Sequence, residues 1–218
     1  ERFFPADRII LTGNPIRKEI APATPAQREA GWRFYGLDPH KKTLFVVGGS
    51  LGCGTLNRVM RDWVEQRAPK ADYQVIWQCG KYYKEGVDQF MAGRDVPNLF
   101  YTDFIQRMDL AYAVSDLLVS RAGAGTISEL CVAGKATVFV PSPNVAEDHQ
   151  THNAMALVNK DAALMVRDAE ADAKLLDTVE ALIGDGARLS ALERNILKLG
   201  RKDASEVIAR EVLKLVEK

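Results

Sequence analysis

Twice in this chain a short apolar run stops at a cluster of small residues, and a helical pattern begins at once. The first run is Thr43–Val47, TLFVV; Gly48-Gly49-Ser50-Leu51-Gly52-Cys53-Gly54 follows, then a helix over Leu56–Gln66. The second is Asp116–Ser120, DLLVS; Arg121-Ala122-Gly123-Ala124-Gly125 follows, then a helix over Thr126–Ala133 with Gly134 placed to close it. Strands that are apolar throughout belong in a sheet covered on both faces. Elsewhere the same alternation predicts strands at Arg8–Thr12, Tyr73–Trp77, Leu99–Tyr101, Thr137–Val140 and Ala163–Val166. It predicts helices at Thr24–Tyr35, Lys84–Met91, Met108–Val114, Thr151–Lys160, Asp172–Ile183 and Asp203–Glu217. The expected fold class is α/β: a doubly wound, mainly parallel sheet with helices on both faces, in one domain. Ligands of such folds sit at the carboxyl ends of the strands.

Composition narrows the function. With 218 residues, 47% of them hydrophobic, a well-buried core is within reach. Lys+Arg and Asp+Glu both number 29, so nothing in the charge balance points to nucleic acid. The three cysteines, Cys53, Cys79 and Cys131, include no C-x-x-C pair, and they read as small buried hydrophobes in a reducing compartment rather than a disulfide framework. No apolar run reaches the length of a membrane span, and no signal peptide is visible. The chain begins at Glu1 rather than Met, which suggests a piece of something longer.

The turn at Arg121–Gly125 is the chemically richest stretch. Thr126 and Glu129 have capping-box spacing, which predicts a helix start at Thr126. With no bulky side chain at that start, backbone N–H groups and the helix dipole can meet an anion. The turn at Gly48–Gly54 suits phosphate too, but it lacks the last glycine of a dinucleotide fingerprint, and Gln78-Cys79-Gly80 stands where an acidic residue would be expected. No G-x-x-x-x-G-K-[ST] occurs. Glu147–Asn153, EDHQTHN, gathers polar side chains suited to sugar hydroxyls. His149 and His152 have no third ligand at metal spacing, so no metal and no cofactor is expected. Arg17, just after Gly13-Asn14-Pro15, is a candidate phosphate or base contact. No residue stands out as a catalytic base.

Five segments in order carry a resemblance: TGNPIR at Thr12–Arg17, VVGGSLG at Val46–Gly52, DFIQRMDLAYAVSDLLVSRAGAGTISEL at Asp103–Leu130, GKATVFVPSP at Gly134–Pro143 and EDHQTHNA at Glu147–Ala154. Together they resemble the C-terminal half of the MurG family, bacterial N-acetylglucosaminyltransferases of peptidoglycan synthesis. The resemblance implies the donor-binding half of an inverting, two-domain B-type glycosyltransferase, with UDP-N-acetylglucosamine as donor and lipid I as acceptor. It implies that Arg17, Ser50, Ile105, Ala124, Gly125, Thr126 and Glu129 contact the nucleotide, with Glu129 on the ribose hydroxyls. Gln150 and Asn153 are implied at the sugar and diphosphate, with Gly49, Gly123 and His149 as further candidates. Residues 1–8 would be the end of an interdomain linker and residues 9–218 the donor domain. The acceptor site, membrane contact and catalytic base would lie in the other half, at the cytoplasmic face of the bacterial inner membrane, with this piece soluble. Two other readings remain: an isomerase resembling UDP-N-acetylglucosamine 2-epimerases, and a donor-binding subunit that works with a separate membrane partner.

Overall fold

The computed structural model describes residues 5–216. Six strands form one sheet: β1 (Thr43–Val47), β2 (Gln74–Gln78), β3 (Leu99–Thr102), β4 (Leu117–Ser120), β5 (Thr137–Phe139) and β6 (Leu164–Met165). Their order is β3-β2-β1-β4-β5-β6, and every neighbouring pair is parallel. From β1 the chain winds outward to β3, then returns to the middle and winds the other way. The switch falls between β1 and β4, the two strands that feed the glycine turns. Register makes these ends level: Val47 pairs with Gln78 on one side and with Ser120 on the other.

Alternation within the strands divides the core into two layers. Leu44, Val46, Val75, Trp77 and Val119 meet α2 (Gly54–Gln66), α3 (Lys84–Met91) and α7 (Ala171–Gly184). Phe45, Val47, Ile76, Leu118 and Phe139 face α1 (Pro25–Tyr35), α4 (Met108–Val114), α5 (Ala124–Ala133) and α6 (His149–Val158). Covering both faces explains why β1, β2, β4 and β5 are buried along their whole length. Two buried polar side chains on this face are paired through each other. Trp77 Nε1 donates to Asn57 Oδ1 at 2.9 Å, while Asn57 Nδ2 donates to the Cys79 carbonyl at 2.8 Å. Asn57 thereby ties α2 to the end of β2. All three cysteines are free and buried.

Local signals account for most element boundaries. Thr24 and Gln27 form a reciprocal capping box at α1, and Gly36 ends that helix at φ 67°. Two expectations need correction. Arg8–Thr12 is not a strand: Ala6–Arg8 is a 3-10 turn, and Ile10 and Leu11 are exposed. This stretch pairs with no strand of the sheet. Instead Arg201 donates to the Leu11 carbonyl, and Asn14 Nδ2 donates to Ser128 Oγ at 2.9 Å. β-rich residues form a strand only where a neighbour takes their backbone groups. The second correction is α8 (Gly186–Leu197), a helix absent from the expected set. Its buried Leu189, Leu192 and Ile196 recur at helical spacing and join both core layers, and the Asp185 side chain caps it by accepting from the Arg188 N–H. The last helix, α9 (Ala204–Val216), buries Ala204 and leaves Val212, Leu213, Leu215 and Val216 exposed. Glu217, the expected end of that helix, lies outside the described residues, as do residues 1–4 of the expected linker.

Lys135 is a buried cation near the amino end of the sheet. It is 5% exposed, its ammonium donates to the Ser115 carbonyl at 2.9 Å, and Glu193, Asp116 and Arg28 lie around it. Burial pushes its pKa down to about 8. An unfolded lysine holds its proton to about 10.4, so from pH ~8 to ~10 the unfolded chain binds more protons at this site and the Lys135 contribution to stability rises with pH. Melting followed from pH ~7.5 to ~9.5, below the tyrosine range, should show wild-type protein gaining a few degrees relative to Lys135→Met. Parallel curves for the two proteins would show that Lys135 does not titrate in this window.

Candidate functional site

The carboxyl ends of the strands surround a cavity of about 640 Å³. The turn after β1 forms one wall and the turn after β4 another, with Phe104 and Ile105 after β3 and Ser142 and Gln150 after β5 completing it. The wall after β1 is shaped by a backbone contact. A Cβ on Gly52 would lie 2.2 Å from the Cys79 carbonyl oxygen, and one on Gly80 would lie 2.1 Å from Gly52 Cα. The fold therefore requires both of these glycines. Gly123 and Gly125 differ. A Cβ on Gly123 would meet only Thr126 Oγ1, at 3.8 Å, and one on Gly125 would meet nothing within 4 Å. No protein atom needs those two positions to be bare. What they leave is open approach to the start of α5.

That start is not where the capping-box spacing places it. α5 begins at Ala124, with Gly123 as N-cap and no side-chain cap. The Ile127 N–H closes the first turn on the Gly123 carbonyl at 2.9 Å, so Thr126 lies inside the helix. Glu129 is more than a turn further along and caps nothing. Its Oε2 accepts from the Tyr112 hydroxyl at 3.0 Å, and its Oε1 lies 3.6 Å from Arg17 Nε. Tyr112 is buried, and that burial drives its pKa far up, so its hydroxyl stays a donor. An uncapped helix start, an arginine and a fixed carboxylate thus share one cavity: features that suit, in turn, an anion and a pair of hydroxyls.

Of the expected site residues, Arg17, Gly49, Ser50, Ile105, Gly123, Thr126, Glu129 and Gln150 line this cavity. Ala124 and Gly125 form the exposed first turn of α5 beside it. Gln150 and Asn153 are engaged with the protein. Gln150 Oε1 accepts from the Ala122 N–H at 3.1 Å and the Ser142 N–H at 3.0 Å, and Asn153 Nδ2 donates to the Ala122 carbonyl at 3.1 Å. The two amides clamp both polar groups of Ala122 and so set the turn before α5. Asn153 does not line the cavity. Neither does His149, which is exposed with its Nδ1 2.9 Å from the Ala146 carbonyl. Among the described residues, no three His, Cys, Asp or Glu side chains converge as a metal would require.

Sequence reading missed Tyr112, Arg121, Asp168 and Gln78. Arg121 NH1 donates to the Val140 and Pro141 carbonyls, both at 2.9 Å, and makes an ion pair with Asp168 Oδ1 at 2.6 Å. Asp168 Oδ2 accepts from Thr55 Oγ1, in the first turn of α2, at 3.1 Å. Asp168 thus joins the two glycine-turn units across 113 residues of chain. No spacing rule signals a contact of that range. A second cavity, of about 560 Å³, lies at the opposite end of the sheet among Asp38, Lys41 and Asn98. Its buried Gln74 is fully partnered, through Asp38, Lys41 and Thr43.

The glycosyltransferase family 28 C-terminal domain matches residues 43–208. The chain belongs to that family. One relative, from Bacteroides thetaiotaomicron, is 50% identical across the whole chain. It bears the name UDP-N-acetylglucosamine–N-acetylmuramyl-(pentapeptide) pyrophosphoryl-undecaprenol N-acetylglucosamine transferase. The chain spans 58% of that relative's length. Among solved structures, Acinetobacter baumannii MurG superposes with a TM-score of 0.74 over 97% of this chain and 58% of its own, at 24% identity. UDP-N-acetylglucosamine 2-epimerase from Neisseria meningitidis superposes at 0.68 over 98% of this chain and 57% of its own, at 13% identity. Likenesses this distant in sequence show the fold alone, and transferase and epimerase share it. The family 28 match, together with the close transferase relative, favours the transferase over the isomerase expectation. Within the family 28 domain, both glycine turns and all of the cavity except Arg17 fall in the matched region.

Proposed function

We propose that this domain holds the donor, UDP-N-acetylglucosamine, for an inverting transferase whose acceptor is lipid I. One observation carries the reading: the uncapped start of α5, opened by Gly123 and Gly125, shares a cavity with the Glu129 carboxylate. The diphosphate lies against that helix start, with Ser50 and Arg17 nearby, and its departing charge is stabilised by N–H groups and a guanidinium. Glu129 accepts from the ribose hydroxyls. Phe104 and Ile105 offer an apolar wall for the base. Gln150 and Asn153 hold the turn at Ala122, and Gln150, which lines the cavity, presents its amide nitrogen toward the sugar. Residues 9–218 form the donor unit, and residues 1–8 lead into it from the rest of the enzyme. The relatives' additional length supplies the acceptor site and the contact with the cytoplasmic face of the membrane. No helix among the described residues is long and apolar enough to cross a membrane, which suits a peripheral enzyme.

Titration calorimetry tests this directly. UDP and UDP-N-acetylglucosamine should bind with equal affinity before and after treatment with a chelator, because the charge is met by protein groups. Loss of binding on chelation would overturn metal-free recognition. Absence of UDP binding under both conditions would overturn the donor assignment itself.

A further inference from the structure

Gln78 ends β2 and is 3% exposed, yet it borders the cavity. Its Nε2 donates to the Gly49 carbonyl at 2.9 Å and to the Asp103 carbonyl at 2.7 Å. Two carbonyl partners fix the orientation of the amide, since a flipped side chain would set oxygen against both. Its Oε1 is buried and has no partner among the described residues. An orphaned acceptor is unfavourable, and a methionine would occupy similar space without one. What the amide provides that methionine cannot is the bridge.

Gly49 belongs to the turn after β1, and Asp103 leads into Phe104 and Ile105 after β3. These strands are not neighbours, because β2 lies between them. Sheet hydrogen bonding stops at Val47 and Thr102, so the ladder does not set the gap between the two loops beyond it. The Gln78 side chain spans that gap. We propose that Gln78 is a specificity-determining positioning residue: its two donated hydrogen bonds fix the distance between the turn at Gly49–Ser50 and the apolar wall at Phe104–Ile105. That distance decides which nucleotide can touch both walls at once. The inference rests on the donor-site reading and adds to it a group that need not touch the ligand.

The test compares wild type, Gln78→Met and Gln78→Asn, with UDP and ADP affinities from calorimetry and melting of the ligand-free proteins. Wild type is measured first, and its failure to bind UDP would count against the donor site rather than the bridge. Gln78→Met should melt close to wild type: removal of the orphaned acceptor offsets the Asp103 carbonyl's loss of its donor, and Gly49 O keeps the Gly52 N–H at 2.9 Å. It should bind UDP about tenfold more weakly and lose most of its preference for UDP over ADP. A folded Gln78→Met that keeps both the affinity and the preference would overturn the proposal. So would an equal loss for both nucleotides, which a general loosening of the domain would give. If Gln78→Met does not fold, Gln78→Asn carries the same comparison: its amide is one methylene shorter and reaches only one carbonyl.

Discussion

Glu129→Ala should weaken UDP binding by about 1.5–3 kcal/mol, the range for hydrogen bonds to a charged group. The carboxylate is already fixed, by the Tyr112 hydroxyl at 3.0 Å on one oxygen and by Arg17 at 3.6 Å from the other, so it meets ribose hydroxyls with little reordering. Helix capping contributes nothing to this effect, because α5 starts at Gly123–Ala124 and Glu129 lies beyond its first turn. The stability change has a different source: the variant leaves the buried Tyr112 hydroxyl without its acceptor. Tyr112→Phe together with Glu129→Ala should recover that stability and leave UDP binding weak. Melting and calorimetry on the single and double variants separate the two effects. A Glu129→Ala protein that melts early and binds UDP normally would leave Glu129 as a structural partner of Tyr112.

A larger effect is expected on turnover. The 218-residue chain alone should transfer no measurable sugar to a lipid-I analogue, and activity should return when it is joined to the remainder of the enzyme. Groups suited to assist departure of a diphosphate are present: the α5 start, Ser50 and Arg17. Attack by the acceptor needs a positioned hydroxyl and a base, and positioning alone can supply roughly 7–11 kcal/mol of the barrier. Neither histidine of the Glu147–Asn153 segment has a claim to that base. His149 is exposed and turned to the Ala146 carbonyl, and neither it nor His152 lines the cavity. The assay is release of UDP with formation of the disaccharide lipid, comparing the chain with the full-length enzyme. Substantial turnover by the chain alone would place the base within these residues, with His149 the first to substitute.

Much of the fold was legible in local chemistry. Thr24 and Gly36 bound α1 through a capping box and a left-handed C-cap, and apolar runs named β1 and β4 as strands of a sheet covered on both faces. These signals act within a few residues, so a linear reading captures them. The same argument made Arg8–Thr12 a strand, and there it failed. Strand formation needs a partner edge, and partners belong to the whole fold. α8 was not legible for a different reason: its apolar spacing is present, but it starts within Gly184-Asp185-Gly186, a sequence that reads locally as a turn.

The candidate site divides along the same line. The sequence by itself pointed to two glycine turns that follow strands of a parallel sheet, to Arg17 as a candidate ligand contact, and to a resemblance to nucleotide-sugar transferases that implied a ligand role for Glu129. Tertiary structure alone decided where α5 starts, that Gln150 and Asn153 grip Ala122, and that Asp168 reaches Arg121 and Thr55 across the sheet. It alone showed that Gln78 bridges two loops that the strand ladder leaves unlinked. Residue types and short spacings encode what a segment can do within a turn or two of helix. Which groups meet across long stretches of chain is settled only when winding in opposite directions from β1 and β4 brings the loops to one end of the sheet.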